Sequence, residues 1–337
     1  FDESVSKPAY TLIQNSNLPV YIFMSVIVAI FMGLTVSAEE IIKDRKILRR
    51  EAFLNLSWNS YLLSKIGVQF LISAVQAATF VIVGNSIIGI KGMWLEYWLV
   101  LFSCWATSNM MGLLISDSFK AVVTIYILIP FLVIPQIILS GIIVKYEKLN
   151  PNISSPVSIP VYGEIIVARW GYEALTVEQF MNNKFEKQFY QYDKVISIAK
   201  FKKDIWYNEM KSILSRLEGN IERERLDESA ARDMTLIYNE IDEELLFTPR
   251  VTFDLSLIDP DNITYTAIDT ARNYIERIRR YYIDVSKNAV DARDITITAM
   301  ERADKEGFIR MKKQYTNESL EEFVTNDNEK DKIKRFN

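Results

Sequence analysis

The sequence predicts an all-α protein: a polytopic helical membrane domain with four spans, followed by an elongated helical extracytoplasmic region. Two observations predict it. Charge is segregated, with 9 Lys/Arg and 8 Asp/Glu from Phe1 to Val144 against 30 and 35 from Lys145 to Asn337. The chain-wide values of 24% charged and 49% hydrophobic average over these unlike halves and conceal the boundary. The apolar pattern changes at the same place, from long charge-free runs to apolar residues at helical spacing among charges.

A bilayer core about 30 Å thick needs roughly 20 apolar residues in a helix, because each backbone N–H and C=O must find its partner within the segment. Four runs meet that length without a charge: Leu18 to Ser37, Ile66 to Ile90, Tyr97 to Ser116 and Ala121 to Val144. Short loops on the cytoplasmic side retain Lys and Arg. The first loop carries Lys43, Arg45, Lys46, Arg49, Arg50 and Lys65, and the second only Lys91, so the first is expected inside. The turn from Asp117 to Lys120 is then cytoplasmic, and the N-terminal segment and everything after Val144 lie outside. Trp94, Tyr97 and Trp98 suit an outer aromatic belt, and Trp58 an inner one. The expected organisation is an external segment at 1–17, a transmembrane domain at 18–144 with a cytoplasmic connecting helix at 38–65, external membrane-proximal helices at 145–190, and an extracytoplasmic helical domain at 191–337. The lipid bilayer is the first partner implied, with a bacterial inner membrane the simplest setting.

The connector from Glu39 to Lys65 sets Ile41, Ile42, Ile47 and Leu48 against alternating charges. It reads as an amphipathic helix lying along the membrane surface or under another protein; a solvated loop of topology charges is the other reading. In the second run Gln69, Ser73, Gln76 and Thr79 follow at steps of four, three and three, which places them on one side of a helix. Asn109 and Gln136 add amides to two further runs. Such groups either line a substrate path or hold helices together by hydrogen bonds, and the pattern leaves both open. Pro130 and Pro135 remove backbone donors from the last run and predict a kink.

Beyond the boundary, helical patterns run from Asp193 to Leu217 and from Asp227 to Phe247, punctuated by Gly219 and Pro249. Residues Asp254 to Asp261 read as an extended or looped crossing. A heptad pattern follows at Ile268, Ala271, Ile275, Ile278, Tyr282, Val285, Ala289 and Ala292, and no Gly or Pro interrupts Asp261 to Glu306. A helix of about 40 residues, near 60 Å long, is expected there, its stripe packed against the two preceding helices.

The net charge of −4 mixes both signs and implies no nucleic-acid surface. One cysteine, Cys104, and no histidine exclude a disulfide framework and His/Cys zinc sites. No carboxylate spacing supports a metal site, and no catalytic constellation stands out. The eleven glycines include no Gly-x-x-x-x-Gly-Lys-Ser/Thr, so this stretch cannot cradle ATP phosphates by a P-loop and is not expected to be an enzyme by itself.

Four stretches resemble the transmembrane domain of ABC-2 type exporters, in particular the ABCG (White-like) group. They are Arg50-Glu51 with Ser60 to Lys65, Ser108 to Ser116, Pro135 to Gly141, and Ala168 to Leu175 with Glu178 and Phe180. The glycine and aromatic usual in that group's connector are replaced near Asn55 and Leu56, and the external loop is longer by more than a hundred residues. The resemblance implies an ATP-binding domain and one span before Phe1, a final span after Asn337, a second permease half as homo- or heterodimer, and ATP with Mg²⁺ bound by the ATP-binding domain. It also implies coupling residues on the connector, namely Glu39, Glu40, Arg50, Glu51, Tyr61 and Lys65. Gln69, Ser73, Gln76, Asn109 and Gln136 become the residues of a possible substrate path. The expected function is the permease part of an ATP-driven exporter of a hydrophobic or amphiphilic substrate. The competing reading is a membrane-anchored external scaffold or sensor that binds a partner protein, which has no need of an amphipathic helix under the membrane.

Overall fold

A computed structural model of the chain describes residues 10–51, 57–144, 160–223, 227–260 and 262–324. No strand occurs among them, and the chain divides into two compact units. The first comprises Phe1–Lys187 with Glu306–Arg335, and the second Gln188–Lys305 with the last two residues. The boundary expected from the sequence is at 190/191; the two compact units part at 187/188, and 306–324 belong with the first unit. Asn317 is the reason: its amide donates to the carbonyls of Leu12 and Asn15 at 2.7 and 2.8 Å, while Leu320 is buried and Phe323 meets Tyr172 edge-on.

In the first unit α1 (Leu18–Ser37) is the central helix. Its 20 residues span about 30 Å, and Pro19 sits in the first turn, where its missing N–H is not needed. Leu18, Ile22, Val26 and Ala29 are fully buried. After a turn at residues 38–39 comes α2 (Glu40–Glu51), then α3 (Trp58–Ile88) and α4 (Trp94–Ser118). Helix α3 begins eight residues before the expected span because the Ser57 hydroxyl caps it, accepting from the Ser60 N–H, and no breaker follows. It ends on Gly89, whose φ of 82° lies in the left-handed region that glycine enters without steric cost. The connector is therefore not one helix from 38 to 65: its second part is the first turns of α3.

Helix α3 buries one narrow stripe, Gln69, Ser73, Ala77, Val81 and Asn85, and turns Leu71, Val75 and Ile87 outward. That much exposed apolar surface on one helix requires an apolar surrounding. Helix α5 (Val122–Ile138) is shorter than the run to Val144 that the sequence predicts. Ser140 bonds back to the Ile137 carbonyl at 2.9 Å and Gly141 takes φ 79°, which ends the helix at 17 residues, about 26 Å. Both prolines lie inside it. By length and composition three helical stretches among the described residues suffice to cross a membrane, and α5 is a shorter apolar helix.

Helices α6 (Val161–Ile165) and α7 (Val167–Met181) follow. Ala168, Tyr172 and Leu175 of α7 join the core of α1, α4 and α5. Glycines set these approaches. A methyl group on Gly33 would lie 2.8 Å from both the Ser108 Cβ and the Trp105 carbonyl oxygen. One on Gly112 would lie 1.9 Å from the Ser37 hydroxyl, and one on Gly171 would lie 2.8 Å from the Cys104 sulfur and from Val26. Backbones packed this closely need small residues, as is usual where lipid supplies no hydrophobic drive between helices.

The second unit starts with α8 (Tyr190–Lys200), one π-helical stretch (Phe201–Trp206) and α9 (Tyr207–Glu222), a continuous run where the sequence predicts one helix. Helix α10 (Glu228–Phe247) is capped by Asp227, whose carboxylate accepts from Ser229 and Ala230. A 3-10 turn at Leu255–Leu257 interrupts the crossing expected at 254–261, and α11 (Tyr265–Ala303) runs 39 residues, about 58 Å, behind its Thr264 cap. Its buried stripe is Ile268, Ala271, Ile275, Ile278 and Tyr282, packed with Met210, Leu214 and Leu217 of α9 and Met234, Ile237 and Ile241 of α10, and Ala289 is buried farther along. Val285 and Ala292 are only half-buried. Glu244 is fully buried, taking hydrogen bonds from Lys202 and the Tyr282 hydroxyl. Burial and that carboxylate push the Tyr282 phenol well above its ordinary range. Helix α12 (Lys305–Tyr315) belongs to the first unit from Glu306 on, and residues 318–324 are helical.

Two outcomes follow from this packing. Gly33→Val should lower the thermal unfolding temperature of the detergent-solubilised protein by the equivalent of about 1–3 kcal/mol, since backbone must shift. Gly67→Ala, with nothing within 4 Å of the added carbon, should be neutral or stabilising; equal melting of the two variants would mean that α1 and α4 do not touch at Gly33. Ile278→Asp should cost several kcal/mol by burying an unpaired carboxylate, read as faster hydrogen exchange throughout α9, α10 and α11. Parental exchange in that variant would place the stripe at the surface.

Candidate functional site

The connector and the two spans it meets form one hydrogen-bonded junction. Helix α2 starts with free backbone donors, as every helix does, and the N–H groups of Ile41 and Ile42 both donate to the Ser116 hydroxyl at 3.0 Å. Ser116 lies in the last turn of α4, where a helix leaves its final carbonyls without partners in the ladder. Arg45 answers from α2: its guanidinium donates to the Asp117 carbonyl at 2.6 Å and to the Ser116 carbonyl at 3.4 Å. Each helix thus caps the other, with a cation at the negative end of the α4 dipole. Buried Ile41 fills the space beneath.

The opposite flank of α2 is joined to α3. Lys65 donates to Glu40 at 2.9 Å and to Asp44 at 2.8 Å, and the Tyr61 hydroxyl donates to Asp44 at 3.0 Å. These side chains keep between a fifth and a third of their surface, so each pair contributes only about 0–1 kcal/mol. Their consequence is register more than stability: one ammonium held by two carboxylates four residues apart fixes the rotation of α2 against α3. Glu39 pairs with Lys43 one turn on, at 2.5 Å.

Of the residues the sequence singled out, Glu40, Tyr61 and Lys65 come together here and Glu39 lies at the edge. Arg50 sits apart near the far end of α2, exposed and without an ion pair to any described residue. Glu51 ends the helix, and its side chain lies outside the described residues. Sequence reasoning missed Asp44, Arg45 and Ser116. The one available signal was Glu40 and Asp44 at i and i+4, a carboxylate pair on one helix face.

The amides inside the spans do not form one lining. Asn109 donates to the Ser73 hydroxyl at 2.6 Å and to the Gln69 carbonyl at 3.4 Å, with all three residues fully buried between α3 and α4. The Gln69 amide and the Asn109 carbonyl oxygen find no partner among the described residues. Gln136 accepts the Ala168 N–H at 3.1 Å, joining α5 to the start of α7. Gln76 and Thr79 instead face an open groove of about 600 Å³, with apolar walls from Met32, Phe80 and Val83 and the Trp105 indole at its base.

A protein-family model described as ABC-2 type transporter matches residues 5–180, which covers α1 to α7 and ends before the second unit. An ABC transporter ATP-binding/permease protein of Mycobacterium tuberculosis is 27% identical over 154 residues, covering 43% of this chain and 17% of that protein. The chain thus matches less than a fifth of that relative's length. No solved structure matches the chain significantly. With the apolar helices, their connector and α7 all inside the matched range, the chain belongs to the ABC-2 type transporter family and carries its membrane permease domain.

Proposed function

We propose that this chain is the permease part of an ATP-driven exporter resembling the ABCG group, moving a hydrophobic or amphiphilic substrate out of the cytoplasm as one half of a dimer. The observation that carries the reading is the junction of α2 with α3 and α4. A helix bound at its start to the end of one span and along its flank to the beginning of another cannot move without tilting both. The exposed end of α2, with Arg49, Arg50 and Ile47, is the surface offered to an ATP-binding domain, fused or separate, whose fuel is ATP with Mg²⁺. The mycobacterial relative is described as both ATP-binding and permease, which supports such a pairing. The groove holding Gln76 and Thr79 sets polar side chains among apolar walls and suits an amphiphile. In this reading the buried Gln69, Ser73 and Asn109 cluster stiffens the α3–α4 pair that moves.

One observation favours a second reading, a scaffold or sensor that binds a partner: residues 188–305 have a core of their own and lie outside the family match. Deleting that unit separates the two, since an exporter retains substrate-dependent ATP hydrolysis without a scaffold and a tethered sensor has none to retain.

Coupling is tested in vesicles containing the complete transporter with its ATP-binding domain. Arg45→Gln and Asp44→Asn should each lower transport by roughly tenfold, about 1.4 kcal/mol of coupling, while ATP hydrolysis persists and stops responding to substrate. Near-parental transport in both variants would remove the junction from the mechanism. Orientation is tested by single cysteines at Lys46 and Lys211 in a Cys104→Ala background. An impermeant reagent on intact cells should label position 211 and not 46; labelling of both overturns the cytoplasmic placement of the connector.

A further inference from the structure

At the α3–α4 end of the membrane unit lies a cavity of about 540 Å³ that neither the connector nor the groove explains. Its position follows from α3: Gly89 caps that helix and lines the cavity, and Lys91 stands two residues on, in the loop that joins two spans. That loop marks the boundary between lipid and water. Helix α12 forms the other wall. Glu306, Ile309, Arg310 and Lys313 follow at i, i+3, i+4 and i+7, so one face of α12 points into the cavity. Phe308 on the opposite side is buried against the Phe185 ring, 5.4 Å between centroids, which fixes that face.

Charge and shape identify the occupant. Lys91, Arg310 and Lys313 line the cavity with Glu306 as its single acid, leaving two positive charges in surplus. None of the three cations forms an ion pair with a described residue, although acids are plentiful elsewhere on the chain. Leu12, Ile309 and the Tyr10 ring supply an apolar wall beside them. The wall is held in place: the Tyr10 hydroxyl donates to the Ile88 carbonyl and accepts from Asn15 at 2.7 Å, and Asn317 holds the carbonyls of Leu12 and Asn15. Unpaired cations over an apolar wall, at the level of a membrane surface, match a phosphate joined to a diacylglycerol. We propose that this cavity binds the headgroup phosphate of one anionic glycerophospholipid from the adjacent leaflet. Lys91 and Lys313 serve as point charges and Arg310 as the fork that donates to two phosphate oxygens.

The complete protein, purified in neutral detergent, is mixed with phosphatidylglycerol and phosphatidylcholine of identical chains, and the retained lipid is counted by native mass spectrometry. One phosphatidylglycerol should be retained in preference to phosphatidylcholine. Arg310→Gln and Lys313→Gln should each weaken it about fivefold, Glu306→Gln should tighten it, and Lys312→Gln, on the same helix but off the cavity, should change nothing. Equal retention of the two lipids overturns the proposal, as does parental binding by the Arg310→Gln/Lys313→Gln protein. Displacement of phosphatidylglycerol by inorganic phosphate assigns the site to a free anion and overturns the lipid. If the double variant unfolds, Glu306→Gln decides alone, and the absence of tighter binding overturns the charge argument.

Discussion

The contact on which the membrane unit depends is the approach of α1 to α4 at Gly33 and Gly112. No side chain separates the two backbones there: Ser108 and the Trp105 carbonyl press on Gly33, and Ser37 and the Leu34 carbonyl press on Gly112. In lipid the gain comes from dispersion between well-fitted surfaces, which falls off within an ångström of separation. The contact also sets position. With α4 held against α1 over this length, Ser116 arrives under the N–H groups of Ile41 and Ile42, and Arg45 reaches the Asp117 carbonyl. Gly171 uses the same closeness to bring α7 onto Val26 and Cys104.

The connector junction shows how polar contacts of small individual value fix the placement of a helix. Its ion pairs are partly solvated and contribute little to folding. They act by removing freedom: α2 cannot rotate without parting Lys65 from Glu40 or Asp44, and cannot slide without uncovering its own first turn. A hydrophobic seam alone would permit slippage. The polar set inside the spans divides as well, with Asn109 bonded to Ser73 between helices and Gln76 lining the groove instead.

The second unit reaches rigidity by another route. Its three-helix seam is ordinary apolar packing, and the exception is Glu244, a buried carboxylate held by Lys202 and Tyr282. Isolated, that charge would be strongly unfavourable, so both partners must be in place at once. Lys202 lies in the π-helical stretch between α8 and α9, the point at which the regular helical repeat is broken. A local departure from ideal helix and a buried ion pair occur together here.

Sequence alone determined where the apolar helices lie, where charge begins, and which face of α11 is buried. Each depends on short-range periodicity: a charge-free run of about 20 residues, or Ile268 to Ala289 at steps of three and four, reads directly along the chain. The caps at Ser57, Asp227 and Thr264 are local in the same sense. Only tertiary structure decided that α7 enters the core. It alone brought Asp44, Arg45 and Ser116 into the junction and returned residues 306–324 to the membrane unit. These outcomes rest on pairs separated by tens to hundreds of residues, such as Ile41 with Ser116 or Leu12 with Asn317. No periodicity encodes such a pair, because its partners share a neighbourhood only after the chain has folded.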